Sequence, residues 1–229
     1  MSVTIAGLTG VRGAIFDFNG TITDDEGLLY DIYAELFLER YGVALDRDIY
    51  FAELAGLSEP GVVAKVAPLY GLDLDPAERA GLLAERVRRY TERIAGDPPV
   101  RTGAAALIRD LAARMPIAVG TGAYRSETEA VLKAAGLFSY FTTIITVDDV
   151  QRGKPDPQTF ELALAGLGLP AGAVIVFEDS SFGVAAARAA GLRCVVAPVT
   201  TDDIPAAGGG EPEIVVVDSL HPGLVTATP

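Results

Sequence analysis

The sequence predicts an α/β protein: a Rossmann-like parallel sheet core with a purely helical domain inserted after the first strand. Three observations carry this. Apolar runs without polar alternation, as in strands buried on both faces, lie within 13–18, 117–121 and 173–177. From about 103 onward such runs alternate with helical spacing, which implies right-handed crossovers and a parallel sheet. Between 27 and 96, by contrast, helical segments follow one another with no strand candidate.

The elements follow in order. Residues 13–18 form the first strand, and 19–26 a loop of small and acidic residues. Leu28, Leu29, Ile32, Leu36, Phe37 and Leu38 recur at near-helical spacing until Tyr41-Gly42. A second helix spans about 47–55. Gly56-Leu57-Ser58-Glu59-Pro60 breaks it and starts a third, to about 70, with Pro suited to a first turn. A fourth, 76–94, alternates Glu and Arg like a solvated face. Gly96-Asp97-Pro98-Pro99 is the return linker. Helices at about 103–114, 126–135, 157–167 and 182–190 then alternate with strands at 117–121, 143–146, 173–177 and 192–196, and 213–217 is a last short strand. Residues 202–212, with three consecutive glycines, read as a surface loop. The expected division is a core of 1–24 and 97–229 and a helical cap of 25–96.

A formal charge of −13 argues against nucleic acid and anionic membranes as partners. Cys194, the only cysteine, precludes an intramolecular disulfide, fits a reducing cytoplasm and reads as a buried small hydrophobe. No apolar run reaches membrane-spanning length, and the N-terminus lacks a signal-peptide pattern, so a cytoplasmic protein is expected. The oligomeric state is left open.

Chemistry-bearing residues fall at the strand ends. Asp17 closes the first strand, where open α/β sheets place ligands; it can attack a phosphoryl group, bind a metal, or merely close the strand through a local hydrogen bond. Thr121 with Gly122 and Ala123 offers a hydroxyl and backbone N–H groups to an anion, and equally fits a cap and turn. Lys154 sits between Gly153 and Pro155 and can neutralise charge shared by a carboxylate and a phosphate; alone it reads as a surface lysine. Glu178 and Asp179 are adjacent acids that repel unless a cation compensates, and oxygen ligands of this kind suit Mg²⁺. Asp24 and Asp25 read as hinge or cap residues. Arg125 is a candidate substrate contact or a solvated helix residue. His221 reads as a surface residue of the C-terminal tail.

Taken together, Asp17-Phe18-Asn19-Gly20-Thr21, Thr121, Lys154 and Glu178-Asp179 with Ser180, Ser181 and Gly183 resemble the haloacid dehalogenase superfamily. The helical insertion resembles the cap of its β-phosphoglucomutase and phosphoglycolate phosphatase subgroup. The resemblance implies a phosphohydrolase acting on a small phosphorylated metabolite. It makes Asp17 the nucleophile that forms an aspartyl-phosphate, Thr121 and Lys154 the phosphoryl-binding residues, and Mg²⁺ the cofactor. The metal would be held by Asp17, the backbone carbonyl of Asn19, Glu178 and Asp179.

Asn19 departs from that pattern. Most phosphatases of the superfamily carry a second Asp here, which protonates the leaving oxygen and then activates water. An amide cannot shuttle a proton, and such help is worth roughly 10²–10⁴ in rate. A catalytically impaired pseudo-enzyme that binds phosphorylated ligands is therefore the alternative. Dehalogenases lack the acidic pair kept here at Glu178-Asp179. Phosphonatases carry a cap lysine near the position of Glu59, and Lys65 lies further along, within a helix. Phosphomutases use a basic cap residue and an early histidine, where this chain has Glu59 and Leu29.

Overall fold

The first strands of the chain lie outside the sequence expectation. In the computed structural model, which describes residues 2–197 and 211–227, β1 (Val3–Ile5) and β2 (Leu8–Val11) form an antiparallel hairpin. Together with β9 (Val225–Ala227) near the C-terminus they make a separate three-stranded sheet. This small sheet is additional to the expected parallel sheet, whose strands all fall within 13–16 and 117–216. The glycine-rich loop expected at 202–212 lies outside the described residues up to 210.

The main sheet is parallel and has six strands. They are β3 (Gly13–Phe16), β4 (Ile117–Gly120), β5 (Thr143–Ile145), β6 (Val174–Glu178), β7 (Arg193–Val196) and β8 (Ile214–Val216), in the order β5-β4-β3-β6-β7-β8. β3 is central, with Ala14 opposite both Ile117 and Ile175. All of β3, β4 and β6 is buried, as continuous apolar runs require. The first strand is shorter than expected: it ends at Phe16, and Asp17 N–H makes the last rung, 2.9 Å from Phe177 O. Cys194 is buried within β7, as expected.

Between β3 and the rest of the sheet stand four helices: α1 (Glu26–Tyr41), α2 (Arg47–Glu53), α3 (Glu59–Leu69) and α4 (Pro76–Ile94). Leu29, Ile32, Leu36 and Phe37 of α1 are buried, whereas Leu38 is exposed. α1 stops at Gly42 in a left-handed conformation, and α4 starts with a capping box between Asp75 and Glu78. The Glu/Arg pattern of α4 holds on one side only. Arg88 pairs with Glu85 and Glu92 at the surface, but Arg86 is fully buried, which corrects the reading of α4 as simply solvated. After it come α5 (Thr102–Ala112), α6 (Arg125–Ala134), α7 (Gln158–Leu167) and α8 (Ser181–Ala189), which flank the sheet.

The two connections between sheet and inserted helices are tied by an antiparallel bridge between Thr23 and Val100. On the far side, Glu59 N–H donates to Gly122 O at 3.2 Å, bringing the loop before α3 onto the strand ends. A Cβ at Gly122 would lie 2.8 Å from Ser58 Cα, so any larger residue there would push this loop away.

Candidate active site

The carboxyl ends of β3, β4 and β6 converge beneath the inserted helices. Asp17, Thr121, Lys154, Glu178 and Asp179 are all buried there. Lys154 Nζ donates to Asp17 Oδ1 at 2.5 Å and to Glu178 Oε1 at 2.6 Å, and lies 4.7 Å from the Phe160 ring centre. These two carboxylates hold the Lys154 ammonium well above its ordinary pKa, against the cost of burial. Desolvation pushes Asp17 upward, and Lys154 opposes that.

The acids fit a divalent cation. Carboxylate oxygens of Asp17, Glu178 and Asp179 lie within 4.8 Å of one another, with a single ammonium among them. Burial first, and then the Glu178 and Asp17 carboxylates, hold the Asp179 carboxyl well above the usual range. Thr21 Oγ1 donates to Asp179 Oδ1 at 2.9 Å. Gly20, at φ +74, lies so close that a Cβ there would stand 2.1 Å from Asp179 Oδ2. Glu178 Oε2 already accepts from Asp179 N, Ser180 N and Ser180 Oγ. Its geometry suits fixing Lys154 and the turn into α8.

Not every expected residue arrives. Thr121 and Gly122 line the cleft with Asp17, Asn19 and Lys154. The Ala123 N–H is taken by Thr121 Oγ1 at 3.0 Å, so it is engaged locally. Arg125 needs correction as a substrate contact. Its guanidinium donates to Asp149 Oδ2 at 2.6 Å and Ile144 O at 3.0 Å, beside β5, and does not line the cleft. His221 is exposed, as expected.

Three features were missed. Asp25 is fully buried and accepts from Asn19 Nδ2 at 2.8 Å, Thr23 Oγ1 at 2.6 Å and Tyr90 Oη at 2.5 Å. It is an anchor for Asn19, whereas Asp24 pairs with Arg101 as a linker residue would. Glu26 opens α1 inside the same cleft as Asp17 and Asn19, only 7% exposed. Glu59 lines the cleft too, and its Oε1 accepts from Arg86 Nη2 at 2.5 Å; Arg86 Nη1 also donates to Glu127 on α6. The free space between these walls is about 20 Å³, room for one water.

These buried acids set a pH dependence. Burial and neighbouring acids push Glu26 up to about 8, from an ordinary 4.5. Glu127 and Glu59 are raised too, mainly by desolvation. Folded, such groups keep protons that the unfolded chain releases, so stability falls as pH rises across that interval. In a chelator, the melting temperature is expected to be higher near pH 5 than near pH 8.5. A flat or rising profile in a thermal melt would contradict these assignments.

The haloacid dehalogenase-like hydrolase family model matches residues 11–191. Fructose-1-phosphate phosphatase YqaB of Escherichia coli is 34% identical over 183 residues, covering 80% of this chain and 94% of that protein. Validoxylamine A 7'-phosphate phosphatase of Streptomyces hygroscopicus subsp. limoneus is 32% identical, covering 82% of this chain and 86% of that protein. Among solved structures, a point mutant of CbbY from Rhodobacter sphaeroides in complex with xylulose-1,5-bisphosphate superposes with a TM-score of 0.79 at 28% identity. It covers 91% of this chain and 94% of that one. A β-phosphoglucomutase from Clostridium difficile shares the fold, with a TM-score of 0.79 at 21% identity. The chain is thus an enzyme of the haloacid dehalogenase-like hydrolase family, of the phosphatase kind.

Proposed function

We propose that this chain is a Mg²⁺-dependent phosphohydrolase of small phosphorylated sugars, working through an aspartyl-phosphate on Asp17. The observation that carries the reading is Asp17 at its strand end, with Lys154 on one oxygen and the Glu178-Asp179 pair beside it. The sugar-phosphate class rests on the names of the relatives and on the polar walls of the cleft. In this reading residues 25–96 are a cap over a core of 1–24 and 97–229. The 20 Å³ of space is a closed state, and the cap opens to admit substrate.

Asp17 attacks phosphorus, Thr121 and Gly122 hold the phosphoryl oxygens, and Lys154 offsets their charge. Water then cleaves the aspartyl-phosphate. Asp17, Asp179 and the carbonyl of Asn19 are the proposed Mg²⁺ ligands, with Glu178 orienting Lys154 and the adjoining turn. When bound, Mg²⁺ supplies positive charge to the phosphoryl group. Glu59, ion-paired to Arg86, offers no amine for a phosphonatase-type Schiff base and no cation for a mutase's distal phosphate. The lone buried Cys194 supports a cytoplasmic setting. No helix among the described residues is long and apolar enough to cross a membrane.

One observation favours a second reading, the impaired phosphate-binding protein: Asn19 is tied to Asp25 and cannot shuttle a proton. Turnover of a panel of sugar phosphates and p-nitrophenyl phosphate with Mg²⁺ supports the hydrolase. A thermal shift by those esters without turnover supports the binding protein.

Mg²⁺ itself is expected to raise the melting temperature, because it binds the folded state and relieves repulsion among the acids. Asp179→Ala should remove most of that shift. An unchanged Mg²⁺ response in that variant would take Asp179 out of the site.

A further inference from the structure

We propose that Glu26 supplies the acid–base step that Asn19 cannot perform. The proposal rests on the hydrolase reading above and deepens it. Glu26 lines the cleft with Asp17, Asn19, Thr121 and Lys154, at the first turn of α1. It is buried, and its Oε2 has no hydrogen-bond partner among the described residues. An unpartnered buried carboxyl oxygen is costly unless something fills its place during the reaction cycle. The other buried acids of this region are engaged: Asp25 by Asn19, Thr23 and Tyr90, Glu59 by Arg86 and Tyr33, Glu178 by Lys154 and Ser180. Glu26 is the cleft carboxyl left with an open oxygen.

Its surroundings favour the neutral acid. Burial acts first; Asp25 precedes it, Glu59 faces it from α3, and Asp17 stands at the end of β3, while Tyr50 of α2, a neutral phenol, shares the cleft wall. Arg86 on α4 is the opposing charge, already shared between Glu59 and Glu127. A carboxyl kept protonated near neutral pH is the form a general acid needs.

The steps balance. As an Asp17 oxygen bonds to phosphorus, the bond from phosphorus to the sugar oxygen breaks, and that oxygen takes the Glu26 proton. Glu26, now a carboxylate, accepts a proton from the water that attacks the aspartyl-phosphate. The phosphorus bond to Asp17 breaks, releasing inorganic phosphate and restoring Asp17 and the Glu26 acid.

The test compares leaving groups. A sugar alkoxide needs a proton, while p-nitrophenolate leaves with little help. With Mg²⁺, Glu26→Gln is expected to lower kcat on fructose 1-phosphate, or the best sugar phosphate of the panel, by roughly 10²–10⁴-fold. The p-nitrophenol burst should change far less. Asn19→Asp in the Glu26→Gln background should recover part of the sugar-phosphate rate, since a carboxyl returns next to the nucleophile. Wild type gives a reading independent of variant folding: kcat on the sugar phosphate should fall on the alkaline side, and the p-nitrophenol burst should lack that limb.

A Glu26→Gln variant with unchanged kcat, or with only a raised KM, overturns the proposal. The same pH profile for both esters also overturns it. A wild type that turns over p-nitrophenyl phosphate but no sugar phosphate overturns it and removes the sugar-phosphate class, while leaving phosphohydrolysis on Asp17 standing. A wild type that turns over neither removes the hydrolase reading and the proposal together.

Discussion

Asp17→Asn is expected to leave no measurable turnover, a loss on the order of 10⁴–10⁶-fold as when a covalent nucleophile is removed. The amide keeps the size of the side chain but cannot form the acyl phosphate. The surroundings should hold their shape, because Lys154 keeps its second partner, Glu178 Oε1, at 2.6 Å. The check is twofold. Initial rates on p-nitrophenyl phosphate with Mg²⁺ should vanish, and acid-quenched wild type, but not the variant, should carry acid-stable, alkali-labile phosphate. A variant with rates within tenfold of wild type would show that phosphorus is attacked by another group, water included.

The strand-end acids were legible because each belongs to a local pattern. Asp17 follows Ala14-Ile15-Phe16, and Glu178-Asp179 follows Val174-Ile175-Val176-Phe177, so the strand run itself aims the carboxylates. The hairpin of β1 and β2 was not legible. Val3–Ile5 and Leu8–Val11 are too short for alternation to register, and their third partner, Val225–Ala227, lies at the other end of the chain. Asp25 was misread because an acid just before a helix is a cap by local rules. Its side chain makes no cap bond here and turns inward, to a tyrosine 65 positions away. Glu26 was not singled out at all: an acid at the start of a helix carries no signal of its own until the cleft is seen around it.

Arg86 is the plainest such case. On its own helix it is one of several arginines among glutamates, yet its partners are Glu59, on α3, and Glu127, on α6. Burial raises the stakes of that arrangement. Arg86→Met is expected to cost about 3–5 kcal/mol, because it leaves two buried carboxylates without their cation. For a chain of this size that is a fall in melting temperature of roughly 6–20 °C. The loss should be larger at pH 8 than at pH 5, since in acid both orphaned carboxyls take up protons and stop repelling each other. Arg86→Met combined with Glu59→Gln and Glu127→Gln should recover much of it, for an apolar and neutral set in the same space carries no charge to desolvate. The recovery has a structural basis: Arg86 Nε and Glu127 Oε2 have no hydrogen-bond partner among the described residues, so the native network is itself incompletely satisfied. Because Arg86 links α4 to α6, the single variant should also loosen the helices over the cleft, seen as faster amide exchange in α3 and α4 than in β3 and β6. A cost below about 1 kcal/mol, the range of an exposed ion pair, would mean that Arg86 reaches water and does not tie α4 to α6.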